Sequence, residues 1–158
     1  MQVQFNYDKF LKLSDLGKKK MSLELLMTGV RQVAADQNWD MEPFESTYRK
    51  IIEAGYVNEW TWKNSAKSPD KKAVASIFLQ HEVLKIDISI VVNDKIGNEI
   101  HKEKVISELP DEWAYARHLG EIRWESNDRV ALINRNKDKK WIVNLSELPK
   151  SEDYIEKD

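Results

Sequence analysis

The side chains able to do chemistry are few, and they stand far apart. The three histidines, His81, His101 and His118, form no HExxH, HxH or comparable close pair. His81-Glu82 and His101-Lys102-Glu103 are neighbours on stretches that read as strand, so spacing alone gathers no metal-ligating set. The chain has no cysteine, which excludes a thiolate nucleophile, a disulfide framework and every cysteine-ligated zinc or iron–sulfur centre. The five glycines, Gly17, Gly29, Gly55, Gly97 and Gly120, are widely separated, so neither a P-loop nor a GxGxxG phosphate cradle can be written. A GxSxG nucleophile elbow is also missing. Carboxylates are plentiful, but a working pair across a cleft is not legible in one dimension. The sequence therefore assigns no catalytic residue, and no metal or cofactor is expected.

Tryptophan is the unusual residue: Trp39, Trp60, Trp62, Trp113, Trp124 and Trp141 make six in 158 residues. Such rings fill cores, and they also anchor interfaces where a large ring is desolvated by a partner. Trp113 and Trp124 lie in the most acidic stretch of the chain, residues 108–128. There Glu108, Asp111, Glu112, Glu121, Glu125 and Asp128 face only Arg117 and Arg123. Acidic charge around aromatic rings suits a basic partner, because complementary charge speeds encounter and a buried ring holds the complex. Glu108, Asp111, Glu112, Trp113, Glu121, Trp124, Glu125 and Asp128 are accordingly the expected partner-binding residues.

Charged residues make up 33% of the chain and the net charge is −2. That balance argues against general nucleic-acid binding, which needs a net basic face. Lys18–Lys20, Lys71-Lys72 and residues 135–140 are short basic runs of the kind found in solvated turns. No apolar run approaches the ~20 residues that cross a bilayer. Charges at Asp8 and Lys9 interrupt any signal-peptide core. The expectation is a soluble, cytoplasmic protein with no membrane partner.

These residues must be positioned by helices first and strands afterwards. Asn6 or Asp8 is placed to cap a short helix through Leu16, with Gly17 ending it. Ser22 then caps a second helix whose apolar positions are Leu23, Leu26, Met27, Val30, Val33 and Ala34. Pro43 in a first turn and Gly55 as a stop frame a third helix carrying Phe44, Tyr48, Ile51 and Ile52. Residues 57–63 read as a strand and 64–72 (NSAKSPDKK) as a loop. Further strands are expected over 73–80, 83–92 and 99–106. Leu84, Ile86, Ile88, Ile90 and Val92 alternate there with polar residues, the mark of a strand buried on one face. A helix from Pro110 to Leu119, closed by Gly120, precedes short strands over 121–125, 129–134 and 140–145. Helices followed by strands indicate one α+β domain over 1–158: helical over 1–56, strand-rich over 57–148, with a frayed tail over 149–158. The N-terminal helices are expected to pack on one mainly antiparallel sheet of five or six strands.

The helical start FLKLSDLGKKKMSLELLMTGV, the strand KIDISIVVND and the acidic region SELPDEWAYARHLGEIRWESND together resemble the small immunity proteins of bacterial toxin systems, contact-dependent growth inhibition included. The resemblance implies a cytoplasmic binding protein, not an enzyme, that neutralises a cognate toxin domain; a basic nuclease would fit the acidic stretch. Two other roles are compatible with the residues. One is a small enzyme working through carboxylates or histidines. The other is a structural or adaptor domain, with a homodimer formed through an exposed sheet edge.

Overall fold

The structure, a computed structural model, describes residues 3–145. The expected tail, 149–158, lies outside the described residues. The chain divides into two compact units, Met1–Asn58 and Glu59–Asp158.

The first unit is helical. Helix α1 (Tyr7–Leu11) is capped by Asn6, whose side chain accepts from the Lys9 amide at 2.9 Å. Helix α2 (Asp15–Gln37) runs 23 residues and starts earlier than expected. Its cap is Ser14, whose hydroxyl accepts from the Gly17 amide at 3.2 Å, not Ser22. Gly17 thus sits in the first turn of α2 and does not terminate α1, which ends at Leu11. A Cβ at Gly17 would lie 3.1 Å from the Leu13 Cβ, so glycine here makes room for the residue before the cap. At the far end Asn38 adopts a left-handed conformation (φ 55°), which asparagine tolerates better than most residues.

Helix α3 (Glu42–Glu53) begins as Pro43 predicts. It closes through Gly55 (φ 67°), a conformation that favours glycine. It is tied to α2 by the Arg31–Glu45 ion pair at 2.9 Å, a Tyr48–Glu24 hydrogen bond and the stacked rings of Trp39 and Phe44.

Among the described residues the second unit holds seven strands in two antiparallel sheets, where one sheet of five or six strands was expected. The first sheet is a meander, β1 (Glu59–Lys67), β2 (Ala73–His81), β3 (Ile86–Asp94) and β4 (Glu99–Glu108), in sequential order. A short α4 (Glu112–Tyr115) and one 3-10 turn (Ala116–His118) lead into the second sheet. That sheet is β5 (Glu121–Trp124), β6 (Arg129–Ile133) and β7 (Lys140–Asn144). Residues 64–67, read as loop from their polarity, continue β1. They pair with β2 (Ser65 opposite Ser76, Lys67 opposite Val74) after a bulge that follows Thr61. An edge strand tolerates polar side chains because its ladder is a backbone property.

Inner faces of the two sheets form one core. Ile77, Leu79, Ile88, Ile90 and Val92 of the first meet Ile122, Trp124, Val130, Leu132 and Val143 of the second. Every member of this cluster belongs to the strand-rich unit, so the second sheet supplies the apolar cover that the sequence had led one to expect from helices. Each fully buried Ile or Leu contributes roughly 1.5–3 kcal/mol. Within the second sheet the chain enters β5 closely against β6 at Gly120, where an added Cβ would stand 2.5 Å from the Ile133 carbonyl oxygen.

Candidate functional site

Strand direction decides where each expected site residue goes. β1 and β3 run one way, β2 and β4 the other. The hairpin at 82–85 and the segment leaving β4 at Leu109 therefore share one end of the first sheet, since Ile86 pairs with both His81 and Glu108. The loop at 68–72 marks the opposite end. There Asn127 accepts from the Asp70 amide at 3.0 Å, which places the β5–β6 turn beside it. A nine-residue strand separates the two ends by roughly 30 Å. Asp111, Glu112 and Trp113 accordingly stand at one end, and Asp128 at the other. The acidic stretch is not one surface.

Most of its carboxylates are occupied locally. Glu108 accepts from the Leu109 amide (3.0 Å), His118 Nε2 (3.2 Å) and Arg117 Nη2 (3.0 Å). These bonds, the Leu109 amide first, hold its pKa down to about 2. Glu125 pairs with Lys140 (2.9 Å) and Arg129 (3.1 Å), and its pKa is lowered chiefly by the Lys140 hydrogen bond. Asp128 accepts from the Ser126 hydroxyl at 2.5 Å. Glu121 opens β5 and borders a groove of about 350 Å³ shared with Arg123, Ile133 and Lys137–Lys140. Trp124 is a core residue, 9% exposed, with its indole N–H donating to the Ala66 carbonyl at 2.9 Å. Its expected place in a binding surface is therefore corrected, because alternation along β5 turns it inward.

Trp113 is the opposite case. It is 92% exposed on the first turn of α4, held in place by Asp111, whose carboxylate accepts the Trp113 amide at 2.8 Å. Leu109 (63% exposed) precedes it, and Leu84 (72%) tips the hairpin at the same end of the sheet. Beneath them lies an aromatic layer. The His81 ring packs beside Trp60 (6.4 Å) and edge-on to Tyr115 (6.2 Å), while His81 Nε2–H donates to the Pro110 carbonyl at 3.2 Å. The exposed segment 109–113 is thus fixed to the sheet from below. Burial and then the nearby Glu112 raise the Tyr115 pKa, which keeps its phenol neutral. Asp111 and Glu112 border the apolar tip, whereas the nearby cations Lys85 and Arg117 are engaged by Asp87 (2.6 Å) and Glu108. Three exposed apolar side chains with an acidic border form the candidate site. The sequence reading missed Leu84, whose alternation with Ile86 had assigned it to an inner strand face, and Leu109, whose signal was an apolar residue just before a proline.

The histidines stay apart. His81 anchors Pro110, His101 meets Glu103 at 3.3 Å, and His118 meets Glu108 while packing edge-on against Trp141 at 5.2 Å. His118 Nδ1 is buried without a partner. An Nε2–H tautomer donating to Glu108 leaves only a lone pair unpaired there, which costs less than an orphaned N–H. Among the described residues no group of three or more His, Cys, Asp or Glu side chains is placed to hold a metal ion. No described helix is long and apolar enough to cross a membrane.

No protein-family model matches the chain, and no curated protein or solved structure is significantly similar to it.

Proposed function

We propose that this protein works by binding another protein through the end of the first sheet that carries Leu84, Leu109 and Trp113. The observation that supports this is Trp113: a ring 92% exposed, set on a segment pinned by Asp111 and His81. A partner's apolar socket that covers this indole removes a large apolar surface from water, and the capped backbone that carries it has little further order to gain. Asp111 and Glu112 beside it favour a partner whose socket has a basic rim. Within that role we infer an immunity protein that occupies and neutralises a cognate toxin domain, the class its sequence resembles.

The test is protection in cells. The chain is co-expressed in turn with the products of the genes that flank its own, and survival is scored against any of them that is toxic. Wild type restores growth, while Trp113→Ala and Leu109→Asp, folded by circular dichroism, lose protection. Full protection by both variants would remove the site. A wild-type chain that neither protects nor binds the neighbouring product would remove the immunity reading.

A further inference from the structure

We infer that the outer face of the second sheet, where β5 meets the β6–β7 hairpin, binds a small phosphate monoester whose body carries hydroxyl groups. The groove of about 350 Å³ there is lined by Glu121 and Arg123 of β5, Ile133 of β6, and Lys137, Lys139 and Lys140 of the hairpin and β7. Strand register builds it. Ile133 stands between Glu121 and Lys140 across the sheet, and Arg123 follows Glu121 on the same side of β5. All four therefore lie on the face opposite Ile122 and Leu132, which belong to the core. Residues 135–140 alone are a solvated basic turn. Arg123, distant from them in sequence, turns the hairpin into one wall of a groove.

The cations of this groove are open to a ligand. Arg123, Lys137 and Lys139 are exposed, and among the described residues none of them forms an ion pair. Arg123 acts on Glu125 through space only, while Lys140 is held by Glu125 at 2.9 Å. Of the two carboxylates at the groove, Asp138 accepts from the Asn134 side-chain amide at 2.5 Å, and Glu121 is left as an acceptor for a hydroxyl. The lining has two more cations than carboxylates, which matches the charge of about −1.5 to −2 on a phosphate monoester near neutral pH. Arg123 offers a fork to two phosphate oxygens, and the lysines add point charges. The hairpin is ordered in advance. The Asn134 side-chain oxygen accepts from the Asp138 and Lys139 amides at 3.1 Å each, and the Arg135 amide donates to the Arg117 carbonyl at 2.9 Å. Lys137 sits at φ 59°, a left-handed conformation that glycine takes freely and lysine does not. A contact with an anion accounts for a cation kept where the backbone favours glycine. A nucleic-acid strand fits less well, because Glu121, Asp138 and Glu125 border the groove and repel the flanking phosphates.

The test is a backbone-amide NMR titration of the full chain with ribose 5-phosphate at fixed ionic strength. Saturable shifts are expected at Arg123, Lys137 and Lys139, with a Kd of about 1 mM or tighter. Inorganic phosphate should move the same residues but bind more weakly, and ribose should move none. Lys137→Gly separates the ligand from the fold: its Tm should hold or rise, because glycine suits the left-handed turn, while binding weakens at least roughly threefold. Arg123→Gln, at an exposed position, should weaken binding as much. Each of four results would overturn the proposal. These are no saturable shift, sulfate bound as tightly as ribose 5-phosphate (an adventitious ion only), affinity unchanged in Lys137→Gly, or a single-stranded oligonucleotide bound far more tightly at the same residues.

Discussion

Two tryptophans eleven positions apart should respond oppositely to substitution. Trp124→Phe keeps an aromatic ring in the core but deletes the indole N–H that donates to the Ala66 carbonyl and ties β5 to β1. An acceptor left unpaired on burial costs about 1–3 kcal/mol, and the smaller ring leaves a void costing about 1 kcal/mol more. Roughly 2–4 kcal/mol is therefore expected. With a urea m-value of about 2 kcal/mol per molar, that lowers the unfolding midpoint by roughly 1–2 M. Trp113→Ala removes a larger group, yet the ring is 92% exposed, so stability should stay within about 0.5 kcal/mol of wild type. Urea unfolding followed by far-ultraviolet circular dichroism measures both. If the midpoint of Trp124→Phe does not move, the Ala66 bond and the packing around it carry no weight. If Trp113→Ala falls as far as Trp124→Phe, its ring is packed and cannot be a free anchor.

Four further substitutions follow from the same geometry. Glu108→Gln should lower stability at neutral pH. The folded pKa of about 2 lies below the ordinary 4.5, so the ionised group stabilises the fold above roughly pH 4.5 and that contribution is lost as pH falls toward 2. The gap between wild type and variant should therefore close in acid, and urea midpoints at pH 7, 4 and 3 check it; a gap independent of pH refutes the assignment. Gly120→Ala should be among the costliest single methyl additions, roughly 3 kcal/mol or more. The new Cβ meets the backbone of Ile133 and Asn134, not the movable end of a side chain, and thermal unfolding reads the loss. Once a partner is in hand, Glu112→Gln should slow its association several-fold at low salt while Asp128→Asn, at the opposite end of the sheet, leaves the rate unchanged. Equal slowing in stopped-flow would return the whole acidic stretch to one face.

What the sequence made legible follows from short-range physics. Pro43 and Gly55 bound α3 because one fits a first helical turn and the other a left-handed stop. The run from Ile86 to Val92 declares β3 by alternation alone. Where the reading failed, the residue's own type did not reveal the partner that decided its role. Gly17 looks like a helix end until Ser14, three residues earlier, is seen to satisfy its amide. Residues 64–67 look like a loop until β2 supplies their ladder partners. Alternation says that one face of a strand is buried but not what buries it, so one sheet under helices and two sheets face to face are equally consistent with the pattern.

The candidate site shows the same limit in electrostatic form. Counting charge over 108–128 treats that stretch as one surface, but the chain leaves β4 and turns through α4, a 3-10 turn and β5 within it. Glu108 spends its charge on Leu109, His118 and Arg117, and Glu125 spends its own on Lys140 and Arg129. A carboxylate satisfied by its own fold has little field left for a partner, and one at the far end of a nine-residue strand lies beyond the ~8–10 Å over which salt lets exposed charges act. Only Asp111 and Glu112 remain beside the exposed indole, and Asp111 also fixes the turn that presents it. In the proposed binding role an apolar anchor therefore comes first and charge second. For an anchored complex, raising salt should slow association and leave dissociation nearly unchanged, because the buried ring sets the lifetime. A dissociation rate that climbs steeply with salt would mean that charge, not Trp113, holds the partner.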